Sequence, residues 1–382
     1  MPRLTSSFAA LRAIGWPFEG RPEQGAWADA LAAHPQARLA RVIEQHRSGY
    51  IVAEDIDSGY AVESLADWQR PTGYRKDATP AQQRPAVGDW LLVEGDADDT
   101  PKVVALLPRY SAIKRGAAGE HYKQQVIAAN IDTVFVVCGL DADFNPRRIE
   151  RYLLLVQGGD AHAAAPKPVV VLTKADRDDA DSAGALAALV DVAGPGVPVL
   201  AVNAKDRDSV AALHRWLPPA STAVLVGSSG AGKSTLTNTL LGRDRMKTST
   251  VRESDARGRH TTTHRALIPL PTGACLIDTP GMRELKPTGE ETLADGGFAD
   301  VEALAADCKF RDCRHDREPG CAVRAAIAAG SLSRERFANY LKLRDEVAGA
   351  ADQLATRLAQ QAGEKVQGRA VNKRLDEKYD KH

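Results

Sequence analysis

Apolar positions along this chain change their spacing twice. Between residues 38 and 112 they fall in short runs: Leu39-Ala40-Arg41-Val42-Ile43, Tyr50-Ile51-Val52-Ala53, Asp89-Trp90-Leu91-Leu92-Val93 and Lys102-Val103-Val104-Ala105-Leu106-Leu107. Gly, Asp and Pro separate them, a pattern that predicts a small barrel or sandwich. A five-stranded OB-like barrel fits the length. From residue 113 to 290 the runs become continuously apolar and alternate with helix-like stretches. Strands are expected at 130–138, 168–172, 197–202, 223–226 and 274–277, with helices at 147–157 and 235–241. Such alternation predicts an α/β domain on a parallel sheet. Residues 110–135 read as the link between the two, with Lys114-Arg115-Gly116 basic and flexible. Residues 291–350 are rich in helix formers, at 322–329 and from 335 onward to 359, and predict a mainly α-helical module. Residues 1–37 read as an N-terminal arm, with a short helix from Phe8 to Ile14 broken by Gly15-Trp16-Pro17-Phe18. Residues 351–382 read as a polar tail.

Composition narrows this only slightly. A chain of 382 residues suggests two or three domains. Lys+Arg and Asp+Glu both number 50, so overall charge points to no class of partner. Its distribution is more telling: from Lys309 onward there are 16 basic against 11 acidic residues, which makes that region a candidate for phosphate contact. The barrel segment has no basic excess, so Tyr50, Tyr60, Trp68, Tyr74 and Trp90, which could stack on bases, read better as packing residues. No apolar run approaches the roughly 18 residues of a membrane span. There is no basic-then-apolar leader. The expectation is a cytoplasmic monomer without membrane contact. Five cysteines do not suggest a disulfide scaffold.

The chemistry centres on Gly227-Ser228-Ser229-Gly230-Ala231-Gly232-Lys233-Ser234-Thr235, which matches the phosphate-binding loop pattern. An apolar run precedes it and a helix follows, so backbone N–H groups and a helix N-terminus would face an anion. Lys233 would reach the β- and γ-phosphates and the Ser234 hydroxyl a Mg²⁺ ion. The strand at 168–172 runs into Thr173-Lys174-Ala175-Asp176. An aspartate there can accept from N1–H and the 2-amino group of guanine, an edge that adenine lacks. Lys174 would lay its stem along the base and brace the phosphate loop. Asp176 reads equally well as a helix N-cap. After the next strand come Asn203, Ala204 and Lys205, where a backbone N–H could donate to guanine O6. Downstream, in Gly258-Arg259-His260-Thr261-Thr262-Thr263-His264, Thr262 could give its hydroxyl to Mg²⁺; a β-prone polar run is the alternative. In Asp278-Thr279-Pro280-Gly281, Asp278 would reach Mg²⁺ through water and Gly281 the γ-phosphate. Together these motifs favour GTP and GDP over adenine nucleotides.

Cys308, Cys313, His315 and Cys321 fall within 14 residues. Three thiolates and an imidazole suit one closed, structural, tetrahedral zinc site. Cys138 and Cys275 lie in apolar runs and read as core thiols.

The guanine motifs precede the phosphate loop, the reverse of the Ras-like order, so the same site is written in a circularly permuted chain. With the N-terminal barrel and the zinc cluster, over about residues 38–350, this resembles the bacterial ribosome small subunit-dependent GTPase A family. The resemblance implies GTP hydrolysis stimulated by the small ribosomal subunit, late in that subunit's maturation, with contact to its rRNA. Thr173 stands where many GTPases have asparagine, which is expected to loosen an internal bracing bond. Met282 follows Gly281 where Ras-like proteins carry a water-orienting glutamine. His260 is the candidate to replace it, with contact to RNA or solvent as the alternative. Two rivals remain at this stage: a P-loop kinase, and an RNA-binding assembly factor that uses GTP only as a structural ligand.

Overall fold

The computed structural model describes residues 7–46, 49–69, 79, 83–96, 100–117, 120–157, 165–194, 196–242, 265–278, 287–289, 291–353 and 355–356. The chain begins with two short helices, α1 (Phe8–Ala13) and α2 (Ala26–Ala33). Five strands follow: β1 (Arg38–Gln45), β2 (Tyr50–Ala53), β3 (Tyr60–Val62), β4 (Trp90–Glu94) and β5 (Lys102–Leu106), with a helical turn α3 (Ala66–Gln69) between β3 and β4. β1 pairs antiparallel with both β2 and β4, β2 with β3, and β4 with β5. A parallel bridge from Glu63 to Lys102 closes the ring in the order 1-2-3-5-4. The barrel foreseen from the apolar runs is present.

Those runs are apolar at nearly every position because both barrel faces are covered. Side chains alternate across a strand. Ala40, Val42, Val52, Leu91 and Val93 form one cluster. Leu39, Ala53, Trp90 and Leu92 form another with Leu11, Ile14, Trp16, Trp27 and Leu31. The N-terminal segment, read as an arm, packs against the barrel. Trp16 is fully buried, with Trp90 edge-on at 5.0 Å between ring centroids and Trp27 at 5.1 Å. Tyr50, Trp68 and Trp90 are buried and unavailable for base stacking; Tyr60 is half-buried and donates to Glu54; Tyr74 lies outside the described residues.

Residues 112–129 correct an expectation. They form an antiparallel pair, β6 (Ala112–Ala117) and β7 (Glu120–Ala129), where a flexible link was expected. Next come β8 (Thr133–Gly139), α4 (Pro146–Gln157), β9 (Lys167–Thr173), α5 (Ser182–Ala193), β10 (Val199–Ala201), α6 (Arg207–Ala211), β11 (Thr222–Val226), α7 (Lys233–Leu241), β12 (Ala266–Pro269) and β13 (Cys275–Asp278). The sheet order is β10-β9-β8-β11-β13-β12, parallel except for β12. Val134, Val136 and Cys138 pack with α4 and α5 on one face. Phe135, Val137 and Leu225 pack with α6 and α7 on the other. Burial on both faces explains the absence of polar alternation. Cys138 and Cys275 are core thiols, and burial pushes Cys275 up to about 11.

Glu44 of β1 pairs with Ala266 of β12, so barrel and sheet share one ladder. Arg41, wholly buried, reinforces the junction. It donates to the carbonyls of Ile14, Gly88 (3.1 Å) and Asn130 (3.2 Å) and to Thr222 Oγ1 (2.8 Å). A Cβ on Gly15 would lie 1.8 Å from this guanidinium.

The C-terminal module holds a turn at Ala294–Phe298, α8 (Ala299–Ala306), α9 (Ala322–Ala329) and a helix over residues 334–353. Its core includes Leu154 of α4. Beneath that contact Glu150, 2 % exposed, accepts from Arg336 Nη1 (2.7 Å), Arg147 Nη1 (2.8 Å) and the Asn339 amide. Arg336 also grips Asp300 (2.8 Å) and the Gly297 carbonyl (2.8 Å). Among the described residues no helix is long and apolar enough to cross a membrane.

Candidate functional site

Chain order runs β8, β9, β10 outward on one side and then returns to β11 on the other side of β8. In an open α/β sheet, ligands bind beyond the carboxyl ends of the strands at such a switch point. The phosphate-loop sequence leaves β11 at that place. Gly227 has φ 146°, and a Cβ there would sit 2.1 Å from the Val137 carbonyl oxygen. Gly232 has φ 89° and forms the N-cap of α7 without a side-chain cap. The first-turn N–H groups of α7, at Lys233, Ser234 and Thr235, thus carry the partial positive charge of a helix start. The Lys233 ammonium folds back over the loop and donates to the carbonyls of Gly227 (2.8 Å) and Ser228 (2.6 Å). Ser229 and Gly230 are exposed at the loop's crest, and Ala231 is buried beneath it.

β9 delivers Thr173 beside this loop. Its hydroxyl donates to the Ala231 carbonyl at 2.6 Å. The expected loosening is therefore wrong: threonine makes the bracing bond itself. Lys174 is the other residue expected to brace the phosphate loop. Its ammonium pairs with Asp141, on the loop after β8, and its backbone adopts φ 61°. Asp141 was not singled out in the sequence, although a carboxylate two residues past an apolar strand lies where α/β ligands bind. Partial burial pushes its carboxyl up, but Lys174 and the Asp143 amide pull it further down, to below the usual carboxylate range.

Asp176 does not cap a helix; the N-cap of α5 is Asp181, which accepts from the Gly184 amide at 2.8 Å. The Asp176 carboxylate instead receives the Lys205 ammonium at 3.3 Å. Asn203, Ala204 and Lys205 form a tight turn, with the Lys205 amide donating to Asn203 Oδ1 (3.0 Å). Thr239 of α7 donates to the Ala204 carbonyl at 2.6 Å. The base-side turn and the phosphate-side helix are thereby fastened together. Asp278 ends β13, opposite Ala266. His260, Thr262 and Gly281 lie outside the described residues.

A second cluster lies in the C-terminal module. The ligand atoms of Cys308, Cys313, His315 and Cys321 all lie within 4.8 Å of one another. Cys308 Sγ is 3.9 Å from Cys321 Sγ, and both are 3.5 Å from His315 Nδ1. A regular tetrahedron with zinc–sulfur and zinc–nitrogen bonds of ordinary length has edges of about 3.8 and about 3.5 Å. The donor set fits zinc, and so do the three spacings among Cys308, His315 and Cys321. Cys321 also caps α9, accepting from the Arg324 amide at 3.4 Å, and Phe337 stands edge-on to the His315 ring at 5.7 Å.

The sequence model of the RsgA GTPase family matches residues 106–288. Two proteins named small ribosomal subunit biogenesis GTPase RsgA are close in sequence. The one from Xanthomonas axonopodis pv. citri is 65% identical over 360 residues, 94% of each chain. That from Xanthomonas euvesicatoria pv. vesicatoria is 66% identical over 353 residues, 92% of this chain and 93% of its own. Among solved structures, YjeQ from Thermotoga maritima superposes with a TM-score of 0.56 at 22% identity, covering 82% of this chain and 99% of its own. YloQ, described as a circularly permuted GTPase, gives 0.53 at 23% identity, covering 84% and 97%. These two likenesses show the shared fold. The long, high-identity matches to the Xanthomonas proteins decide the family: this chain belongs to the RsgA GTPases.

Proposed function

We propose that this chain hydrolyses GTP under stimulation by the small ribosomal subunit, as a maturation factor that contacts that subunit's rRNA. The observation that carries the nucleotide reading is the convergence of three loops at one sheet edge. Thr173 bonds the base-side strand to the phosphate loop, and Thr239 bonds the phosphate-side helix to the turn at Ala204. Asp176 would exchange Lys205 for the N1–H and 2-amino donors of guanine, and the turn at Asn203–Lys205 would offer an N–H to O6. Gly227 to Thr235 would wrap the phosphates, with Lys233 moving from its loop carbonyls to the β- and γ-oxygens.

Ser234, Thr262 and Asp278 are the residues that would hold Mg²⁺, which supplies charge neutralisation at the phosphates when bound. Gly281 would donate to the γ-phosphate. Met282 has no polar group with which to orient water. We assign that task to His260, beside Thr261 and Thr262. Cys308, Cys313, His315 and Cys321 would hold one structural zinc ion, since four protein ligands leave no open position. The basic excess from Lys309 onward supports this region as the rRNA contact.

The test is single-turnover GTP cleavage with and without purified small subunits. The expected result is slow cleavage by the free protein and a large acceleration on the subunit. His260→Ala should reduce the accelerated rate and spare nucleotide affinity, since an interaction made only in the transition state leaves ground-state binding intact. Preference for ATP with a phosphorylated acceptor would favour a kinase; GTP binding without cleavage on the subunit would favour a non-enzymatic assembly factor.

A further inference from the structure

Asp141 belongs to none of the motifs read from the sequence, yet it lies against the base side of the site. We propose that Asp141 is a positioning residue for guanine-nucleotide binding, acting through Lys174. The proposal rests on the nucleotide-site reading above and adds a residue to it.

Three observations carry it. First, Lys174 has φ 61°, a conformation that non-glycine residues rarely adopt, so something must hold it there. The loop after β8 does so: the Leu140 amide donates to the Thr173 carbonyl at 2.9 Å, and the Asp141 carboxylate takes the Lys174 ammonium. Second, the lysine stem crosses Gly139 so closely that a Cβ there would meet Lys174 Cε and Nζ at 3.2 Å and Asp141 Oδ1 at 3.0 Å. Gly139-Leu140-Asp141 is thus a cradle shaped for this side chain. Third, the pair is half-sheltered, with side-chain exposures of 30% for Lys174 and 20% for Asp141, so solvent screens it less than a free surface pair. The Asp143 amide, at 3.1 Å from Asp141 Oδ1, fixes the carboxylate in turn.

The consequence concerns Asp176, two residues beyond Lys174. Asp176 has its own cation in Lys205, whose side chain is 75% exposed and readily displaced. Asp141 supplies Lys174 with a separate carboxylate. The lysine stem then stays laid out as a platform for the base, and the guanine-reading carboxylate keeps an exchangeable partner in Lys205. Without Asp141, binding must first order Lys174, and affinity falls.

The test is titration of a fluorescent GDP analogue into the full chain with zinc bound, comparing wild type, Asp141→Ala, Lys174→Ala and the double variant. Asp141→Ala is expected to weaken binding about tenfold, the scale of one charge-assisted contact. The double variant should bind no more weakly than Lys174→Ala alone, because Asp141 acts through that lysine. Cleavage of saturating GTP on the small subunit should change by less than about twofold, since only ground-state binding is touched. Asp141→Asn, which keeps the shape and loses the charge, should weaken binding in the same direction and guards against a folding defect in the alanine variant. Unchanged affinity in both Asp141 variants, or losses that simply add in the double variant, would overturn the proposal while leaving the site reading intact. A wild-type protein that binds ADP in preference to GDP would overturn both.

Discussion

The zinc-ligand cluster and the nucleotide site are built on opposite plans. The cluster draws four ligands from 14 consecutive residues, and its ligand atoms lie within 4.8 Å of one another. The proposed nucleotide site would draw on the loops after β8, β9, β10 and β11 and on Asp278 at the end of β13. Its parts are fastened by the protein's own bonds, such as Thr173 to Ala231 and Thr239 to Ala204. Three clustered thiols and an imidazole, by contrast, suit a metal that supplies the binding energy from outside. One region should therefore fail when its metal goes, and the other should stand without it.

The largest effect should come from Cys321→Ser. Loss of one thiolate should release the zinc and unfold the C-terminal module, since metal binding and folding are linked. GDP affinity should stay within a few-fold of wild type. Metal analysis beside a GDP titration checks both halves, and loss of GDP binding in step with zinc would erase the contrast. Next is the seam between the regions. Glu150→Ala takes one of the two carboxylates from buried Arg336, which keeps Asp300, the Gly297 carbonyl and the face of the Phe298 ring, so the cost is about 3 kcal/mol, the lower end for breaking a buried pair. Urea unfolding should then show the module melting ahead of the sheet. Smaller still is Thr173→Val, which strands the buried Ala231 carbonyl at about 1–3 kcal/mol and should weaken GTP binding by loosening the phosphate loop.

Acid should separate the two regions as well. Metal ligands must be deprotonated, so zinc should leave as pH falls below neutral. Asp141 titrates below its ordinary value in the folded state. Its contribution is therefore fully present above about pH 4, and is lost only as pH falls through that lowered value. Zinc release at a higher pH than loss of the Lys174–Asp141 pair is the expected order, read by metal release and by NMR of the Asp141 carboxyl.

The same contrast explains what could be read in the sequence. The cluster was legible from spacing alone, because a metal imposes a short-range rule on residue types. The phosphate loop was legible because glycines at Gly227 and Gly232 answer close backbone approaches. Asp141 was not, since its meaning depends on β8 lying beside β9, which no local pattern states. Residues 112–129 were misread because the basic Lys114-Arg115-Gly116 and polar start of β7 hide a strand pair beside fully apolar neighbours. The N-terminal segment was legible only in part: the helix from Phe8 was foreseen, but α2 was not, and the packing of Trp16, Phe18 and Trp27 into one aromatic cluster depends on barrel residues far away in the sequence.

The proposal that Asp176 sets the choice of nucleotide is addressed directly by paired titrations of GTP and XTP against wild type and Asp176→Asn. Wild type should prefer GTP. The asparagine variant should lose GTP affinity by about 1.5–3 kcal/mol, the scale of hydrogen bonds to a charged group, and gain XTP affinity, because the amide can donate to the 2-oxo group. Equal GTP affinity in the two proteins would contradict the assignment of Asp176 as the residue that reads guanine.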